Sequence, residues 1–247
     1  MVNEHEPSVP RTLRVMWGTP EPPRRGPKPA TSLRAIAAAA VELADAEGIA
    51  AASLPRVAAR LGTGTSSLYR YVESRDDLDA AMLDHAYGPA PQYDGPRFDG
   101  ADAWRARLRH WALGNRIVLE QHPWILHLSA AEPPLGPNRT AWTEQGLAAF
   151  DGAPGNSAEN LSALLLVEIF IRGFAQLSIA PPPAPALADD AFAAAPYSRR
   201  LAAVLDAASY PRLTEAISDG AFDREQDDLE LALDTLLDGI ARNRPAP

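Results

Sequence analysis

The chain has 247 residues, 46% of them hydrophobic, with 32 acidic residues against 23 basic ones and no cysteine. That apolar fraction builds a packed core and excludes wholesale disorder. The missing cysteines exclude disulfides, cysteine-held zinc or iron–sulfur centres and thiol nucleophiles. No run approaches about 18 uninterrupted apolar residues, and the first 30 residues lack the apolar core of a leader peptide. A soluble, cytoplasmic protein with no membrane partner is therefore expected.

The net charge of −9 is unevenly placed. Between Arg24 and Arg75 eight basic residues stand against four acidic ones, so this stretch is basic and the remainder strongly acidic. Such asymmetry predicts a basic working face on an acidic body.

Proline and glycine divide the chain. Residues 1–30 hold Pro20, Pro22, Pro23, Pro27 and Pro29. These exclude a continuous helix and predict a flexible, basic, proline-rich arm. Thr31 or Ser32 then caps a helix with apolar positions at Leu33, Ile36, Ala40, Leu43 and Ala44, stopped by Gly48. Ser53 caps a second helix, with Pro55 in its first turn, that runs to Leu61 and ends at Gly62. A third short helix is predicted from Thr65 to Tyr71. A fourth, capped by Ser74 and carrying Leu78, Met82 and Leu83, stops near Gly88.

Residues 31–88 thus form a first domain, and a glycine- and proline-rich break follows over 88–96. Beyond it, helices are predicted at about 100–121, 123–130, 137–150, 157–179, 189–208, 210–219 and 226–242, making a second domain over 98–247. Prolines in 181–185 mark an exposed loop. No segment alternates with period two for long, so the fold class is all-α in two parts.

The stretch from Ser53 to Val72 carries the chemistry. Two short helices joined by a glycine-containing turn cross steeply, and Ala58 supplies the small residue that such a crossing needs. Val57, Leu61, Leu68 and Val72 fall on the interior side, which leaves Thr65, Ser66, Ser67, Arg70 and Tyr71 outward. These short donors and acceptors suit the major groove, where each base pair presents its own hydrogen-bond pattern. The alternative is a plain helical hairpin with a polar exposed face. A phosphate cradle at Gly62-Thr63-Gly64 is excluded, because no strand precedes it and no Gly-Lys-Ser/Thr follows.

Residues 31–87 also resemble the DNA-binding domain of the tetracycline-repressor (TetR) family of bacterial transcriptional regulators. The residues carrying the resemblance are Ala38-Ala39-Ala40-Val41-Glu42-Leu43 with Glu47-Gly48, then Val57-Ala58-Ala59-Arg60-Leu61-Gly62, Ser67-Leu68-Tyr69-Arg70-Tyr71-Val72 and Ser74-Arg75-Asp76-Asp77-Leu78. Tyr210-Pro211-Arg212-Leu213 and the leucine-rich run 229–240 resemble the C-terminal segment of the tetracycline-repressor branch. The resemblance implies a homodimer that binds double-stranded operator DNA through an N-terminal three-helix helix-turn-helix domain and senses a small-molecule effector with its C-terminal domain. Position by position, Arg56 matches a base-contacting arginine, and Thr65, Ser66, Ser67, Arg70 and Tyr71 match the recognition helix. Tyr69 and Arg75 match phosphate-binding positions. The arm adds Arg24, Arg25 and Lys28, which reach a minor groove or phosphates if the arm binds at all.

In the second half Trp104, Leu108, Trp111 and Asn115 share one stripe. Asn115 puts an amide where an apolar residue is expected, and it needs a partner if buried. Glu168 and Arg172 lie four apart, either pairing with each other or leaving Glu168 for a ligand. His127 and Gln176 complete the effector-binding candidates. His122 and His127 have poor spacing for one metal, and no hydrolase or metalloprotease motif occurs, so neither metal, cofactor nor catalysis is expected. Dimerisation is expected through 157–179 and 226–242, the latter presenting Leu229, Leu233, Leu236, Leu237 and Ile240 as a broad stripe. The competing function is an all-α small-molecule carrier or enzyme whose N-terminal hairpin merely packs.

Overall fold

The computed structural model describes residues 9–19, 31–90, 103–128, 135–178, 192, 195–221 and 228–244. These are all helical or loop, with no strand among them. The chain folds as two compact units, residues 1–175 with 244–247 and residues 176–243.

The first unit opens with a helix that the prolines concealed. α1 (Arg11–Met16) begins after Pro10, buries Thr12 and packs on α2 (Leu33–Glu47) and α5 (Arg75–Tyr87). Six residues are too few to show a period, so the expectation of an arm fails for this segment. Residues 20–30 of the expected arm lie outside the described residues.

Ser32 caps α2 by accepting a hydrogen bond from the Ala35 amide at 3.2 Å, and Gly48 ends it at φ 86°, a left-handed conformation that glycine adopts without steric cost. The run of alanines along α2 lets α5 approach closely. Ser74 and Asp77 form a reciprocal capping box at the start of α5. Between them lie α3 (Leu54–Arg60) and α4 (Thr65–Leu68). α3 ends in a Schellman arrangement: Thr63 N–H donates to Ala58 O, Gly62 N–H donates to Ala59 O, and Gly62 sits at φ 63°. Val57, Leu68 and Val72 are fully buried there, and Ala58 nearly so. α4 is shorter than predicted and continues as a turn in which Tyr71 and Val72 N–H both donate to Leu68 O.

The remainder of the first unit is built from α6 (Ala103–Gln121), a 3₁₀ turn (Pro123–His127), α7 (Pro137–Ala148) and α8 (Ser157–Ser178). α6 and α7 run antiparallel. Arg107 reaches Ala149 O, and one turn on, Trp111 Nε1 donates to Trp142 O at 2.8 Å. Gly146 makes this packing possible, since a Cβ there would lie 2.5 Å from Leu164 of α8 and 2.9 Å from the Trp111 ring. Trp104 stacks on Phe150 with centroids 5.7 Å apart, and the Arg244 guanidinium covers both rings.

The second unit contains α9 (Tyr197–Val204), α10 (Pro211–Ser218) and α11 (Asp228–Arg242), with α9 and α10 in contact. α9 is shorter than the helix predicted over 189–208, for Pro196 sets its start. The expected proline loop lies outside the described residues.

Candidate nucleic-acid interface and effector core

On α4 and the turn after it, Leu68 anchors the segment in the interior while Ser66, Tyr69 and Arg70 are exposed and Thr65 and Ser67 are half-buried. None of these five exposed or half-exposed side chains makes a hydrogen bond or ion pair among the described residues, so their polar groups are open to an incoming ligand. Tyr71 differs. Its hydroxyl donates to Thr31 O at 2.9 Å, and its own carbonyl accepts from Thr12 Oγ1 at 3.0 Å. The residue is therefore engaged as a brace, which corrects its reading as an outward base-reading group.

The cations of α3 are paired. Arg56 donates to both carboxylate oxygens of Glu47 at 2.9 and 2.6 Å, and Arg60 pairs with Glu42. The hydrogen-bonded Arg56 guanidinium holds the Glu47 carboxyl below its ordinary range, while Glu47 raises Arg56 in turn. Both pairs are solvent-exposed and therefore individually weak, so a phosphate or base edge can compete for either arginine. Arg75 is more deeply committed. It donates to Ala52 O at 2.7 Å and Ile49 O at 3.3 Å and pairs with Asp79, fixing the start of α5 to the turn after α2. Arg24, Arg25 and Lys28 lie outside the described residues.

The core of α6–α8 is built around a residue that sequence reasoning missed. Arg139 is 4% exposed, pairs with Glu168 and lies with its guanidinium 3.9 Å from the Tyr87 ring centroid. Tyr87 in turn meets Trp142 edge-on at 5.4 Å, and burial raises its phenol above the ordinary value. Arg139 was legible in principle, because with Trp142 and Gly146 it forms one face of α7 at spacings of three and four. Glu168 thus pairs across helices with Arg139, which corrects its expected pairing with Arg172. Arg172 instead donates to the carbonyls of Ile125, Leu126 and Leu128, pinning the 3₁₀ turn to α8. Asn115 is 1% exposed and donates to Trp111 O at 3.1 Å, but its Oδ1 has no partner. Trp104 and Trp111 are buried core residues, while His127 and Gln176 are exposed.

Besides Tyr87, two carboxylates of the N-terminal helices reach this core. Asp45 of α2 accepts from Trp124 Nε1 at 2.7 Å and faces His122 Nδ1 at 2.8 Å. Asp84 of α5 accepts the backbone N–H groups of Asn138 and Arg139 at the start of α7, at 2.8 and 3.1 Å. Burial raises the Asp84 carboxyl even so. Among the described residues no group of His, Asp and Glu is arranged to hold a metal.

Residues 36–82 match the family model described as bacterial regulatory proteins of the tetR family, and residues 96–244 match the tetracyclin repressor-like C-terminal domain. The chain belongs to the TetR family. It is a helix-turn-helix DNA-binding transcriptional regulator of that family, not an enzyme. One relative, the HTH-type transcriptional repressor DrrR1 of Streptomyces coeruleorubidus, is 34% identical over 94% of this chain and 85% of its own length. Among solved structures, ActR of Streptomyces coelicolor in complex with actinorhodin superposes with a TM-score of 0.70 at 22% identity, covering 86% of this chain and 97% of ActR. BioQ with its double-stranded DNA operator gives 0.55 at 20% identity, covering 86% of this chain and 99% of BioQ.

Proposed function

We propose that two copies of this chain bind a palindromic operator in the cytoplasm, repress transcription from it, and release it when a small molecule enters the α6–α8 core. The observation that carries the reading is the division of labour on α4: Leu68 is fully buried while Thr65, Ser66, Ser67, Tyr69 and Arg70 keep uncommitted polar groups on the outer side. A short helix so anchored can enter the major groove with its side chains ready for base edges and phosphates. Arg56 joins them after exchanging Glu47 for DNA, whereas Arg75 acts by holding α5 in place.

A single recognition helix reads only a few base pairs, so useful selectivity needs two. The face that supports pairing is on α8, where Leu161, Leu165, Leu166 and Ile169 are exposed, the last at 68%. This helix is long and apolar enough by length and composition to cross a membrane. Its Glu168–Arg139 pair and the carbonyl contacts of Arg172 favour a packed helix whose open side takes a second protein helix. On α11, Leu229, Leu233, Leu237 and Ile240 are buried within one chain, so any share this helix takes in pairing falls to its exposed Leu231 and half-buried Leu236.

The test is a mobility shift with duplex from beside the chain's own gene against random duplex. Saturable, sequence-selective binding is the expected result. Equal weak binding to both would favour the carrier or enzyme reading instead.

A further inference from the structure

A cavity of about 570 Å³ opens where α1, α2, α5 and the first turn of α7 meet, and no residue of α6 or α8 lines it. Its apolar wall is Val15 and Met16 of α1, Leu33 and Ala37 of α2, Ala81 of α5 and Pro137 of α7. Apart from the His85 imidazole, no ring with an aromatic face lines it. The polar groups divide by whether the fold has already used them. Asp84 Oδ1 accepts the Asn138 and Arg139 N–H groups, Asn138 Nδ2 donates to Asp84 O, and Ser32 Oγ accepts from Ala35 N–H. A Cβ at Gly136 would strike the Asp84 carboxylate, so that group is pressed against the start of α7. Arg34 of α2 and His85 of α5 remain. Arg34 is exposed and His85 half-buried, and neither makes a hydrogen bond or ion pair among the described residues.

We propose that this cavity binds an aliphatic monocarboxylate of medium chain length, with its head on Arg34 and His85 and its chain along the wall of α1 and α2. The unspent groups are hydrogen-bond donors, which select an acceptor head. An amine head finds no equivalent, because Asp84, the one carboxylate in the wall, is buried and already holds two N–H groups of α7. Charge narrows the head further. Burial, with Arg34 nearby, holds His85 below its ordinary pKa, so the imidazole supplies a neutral N–H and Arg34 the single cation. A dianionic phosphate would exceed that charge close to Asp84. The aliphatic walls suit a chain rather than a planar ring, Met16 can adapt to its course, and the volume falls in the range of small-molecule sites. An occupant would touch four helices at once, tying α1 and α2 to α5 and α7 at a place separate from the α6–α8 core.

The full-length chain is titrated by calorimetry with decanoate, octanoate, decanol and decylamine, each kept below its micelle threshold, and melting temperatures are read alongside. Decanoate is expected to raise the melting temperature and to bind roughly tenfold or more tighter than decanol or decylamine. It should also bind about tenfold tighter than octanoate, since each buried methylene is worth about fourfold in affinity. Arg34→Gln changes an exposed side chain and should bring decanoate down to the level of decanol while leaving decanol unchanged. Val15→Trp fills the cavity from the α1 side and should weaken decanoate and decanol alike. Melting curves without ligand establish that each variant is folded. Equal binding of decanoate and decanol, preference for decylamine, binding of none of the probes, or decanoate affinity that survives Arg34→Gln would each overturn the assignment. None of these readouts depends on operator binding, so the regulatory reading and this site stand or fall separately.

Discussion

Thr12 donates its hydroxyl proton to the carbonyl of Tyr71 at 3.0 Å, joining the N-terminal helix to the end of the recognition segment across 59 positions of sequence. Trp17, just after the same helix, donates from Nε1 to Leu135 O at 2.9 Å, immediately before α7. α1 is thus tied on one side to the turn after α4 and on the other to the residue just before α7.

Removing the first of these links should loosen the reader. Thr12→Val deletes a hydrogen bond from a buried hydroxyl and is expected to lower stability by about 1 kcal/mol. Operator affinity should fall with it, while Thr12→Ser retains both. Thermal melts and operator titrations on the three proteins check this.

Arg70 and Arg75 should behave differently. Arg70 is exposed without a partner among the described residues, so Arg70→Ala is expected to cost roughly 1–3 kcal/mol of operator binding and to relax preference at one base position. Arg75→Ala loses the ties to Ala52, Ile49 and Asp79, so its first effect should be a lower melting temperature. Operator titration with single-base variants, run beside thermal melts, tells the two apart.

The two leucine-rich helices should also separate. Leu165→Glu with Ile169→Glu places charges on an exposed face and is expected to give a folded monomer by sedimentation. Leu233→Ala empties a fully buried site and should instead cost about 2–5 kcal/mol of stability without changing the assembly of the protein that remains folded.

Acidification should weaken the N-terminal unit through His85. Burial, helped by Arg34, holds its folded-state pKa below the ordinary 6.5, so the unfolded chain takes up the proton more readily. Stability from this source is complete above the unfolded value and is lost as pH falls through it toward the lower folded value. Asp84 has the opposite sign, its raised carboxyl pKa favouring the folded state as pH falls toward it. His85→Gln is expected to flatten the decline in melting temperature between about pH 7 and pH 5.5.

The reader was legible in the sequence because its signals are local. Ser32 and Ser74 cap, Gly48 and Gly62 terminate, and Val57, Leu68 and Val72 fall at interior spacing, all within short windows. α1 was hidden because it is too short for periodicity and its stability comes from Thr12 and Trp17 meeting residues far along the chain. The roles of Arg56, Tyr71 and Arg75 turned on partners that spacing cannot reveal: Glu47, Thr31 O and the carbonyls after α2. The α11 stripe was read correctly as apolar, but amphipathicity does not say whether a face is covered by its own chain or by another. In the core, Asn115 announced itself as a polar break in an apolar stripe, whereas Arg139 gained its meaning from Glu168 and Tyr87 on other helices.

A nuclease footprint across the DNA beside the chain's own gene tests the central claim most directly. A two-fold symmetric protected site is expected, with half-sites about one helical turn apart or slightly more, as paired recognition helices require. Arg70→Ala and the Leu165→Glu, Ile169→Glu pair should both abolish it at the same protein concentration. Uniform protection with no symmetric site, or a symmetric footprint that a proven monomer reproduces in full, would contradict it.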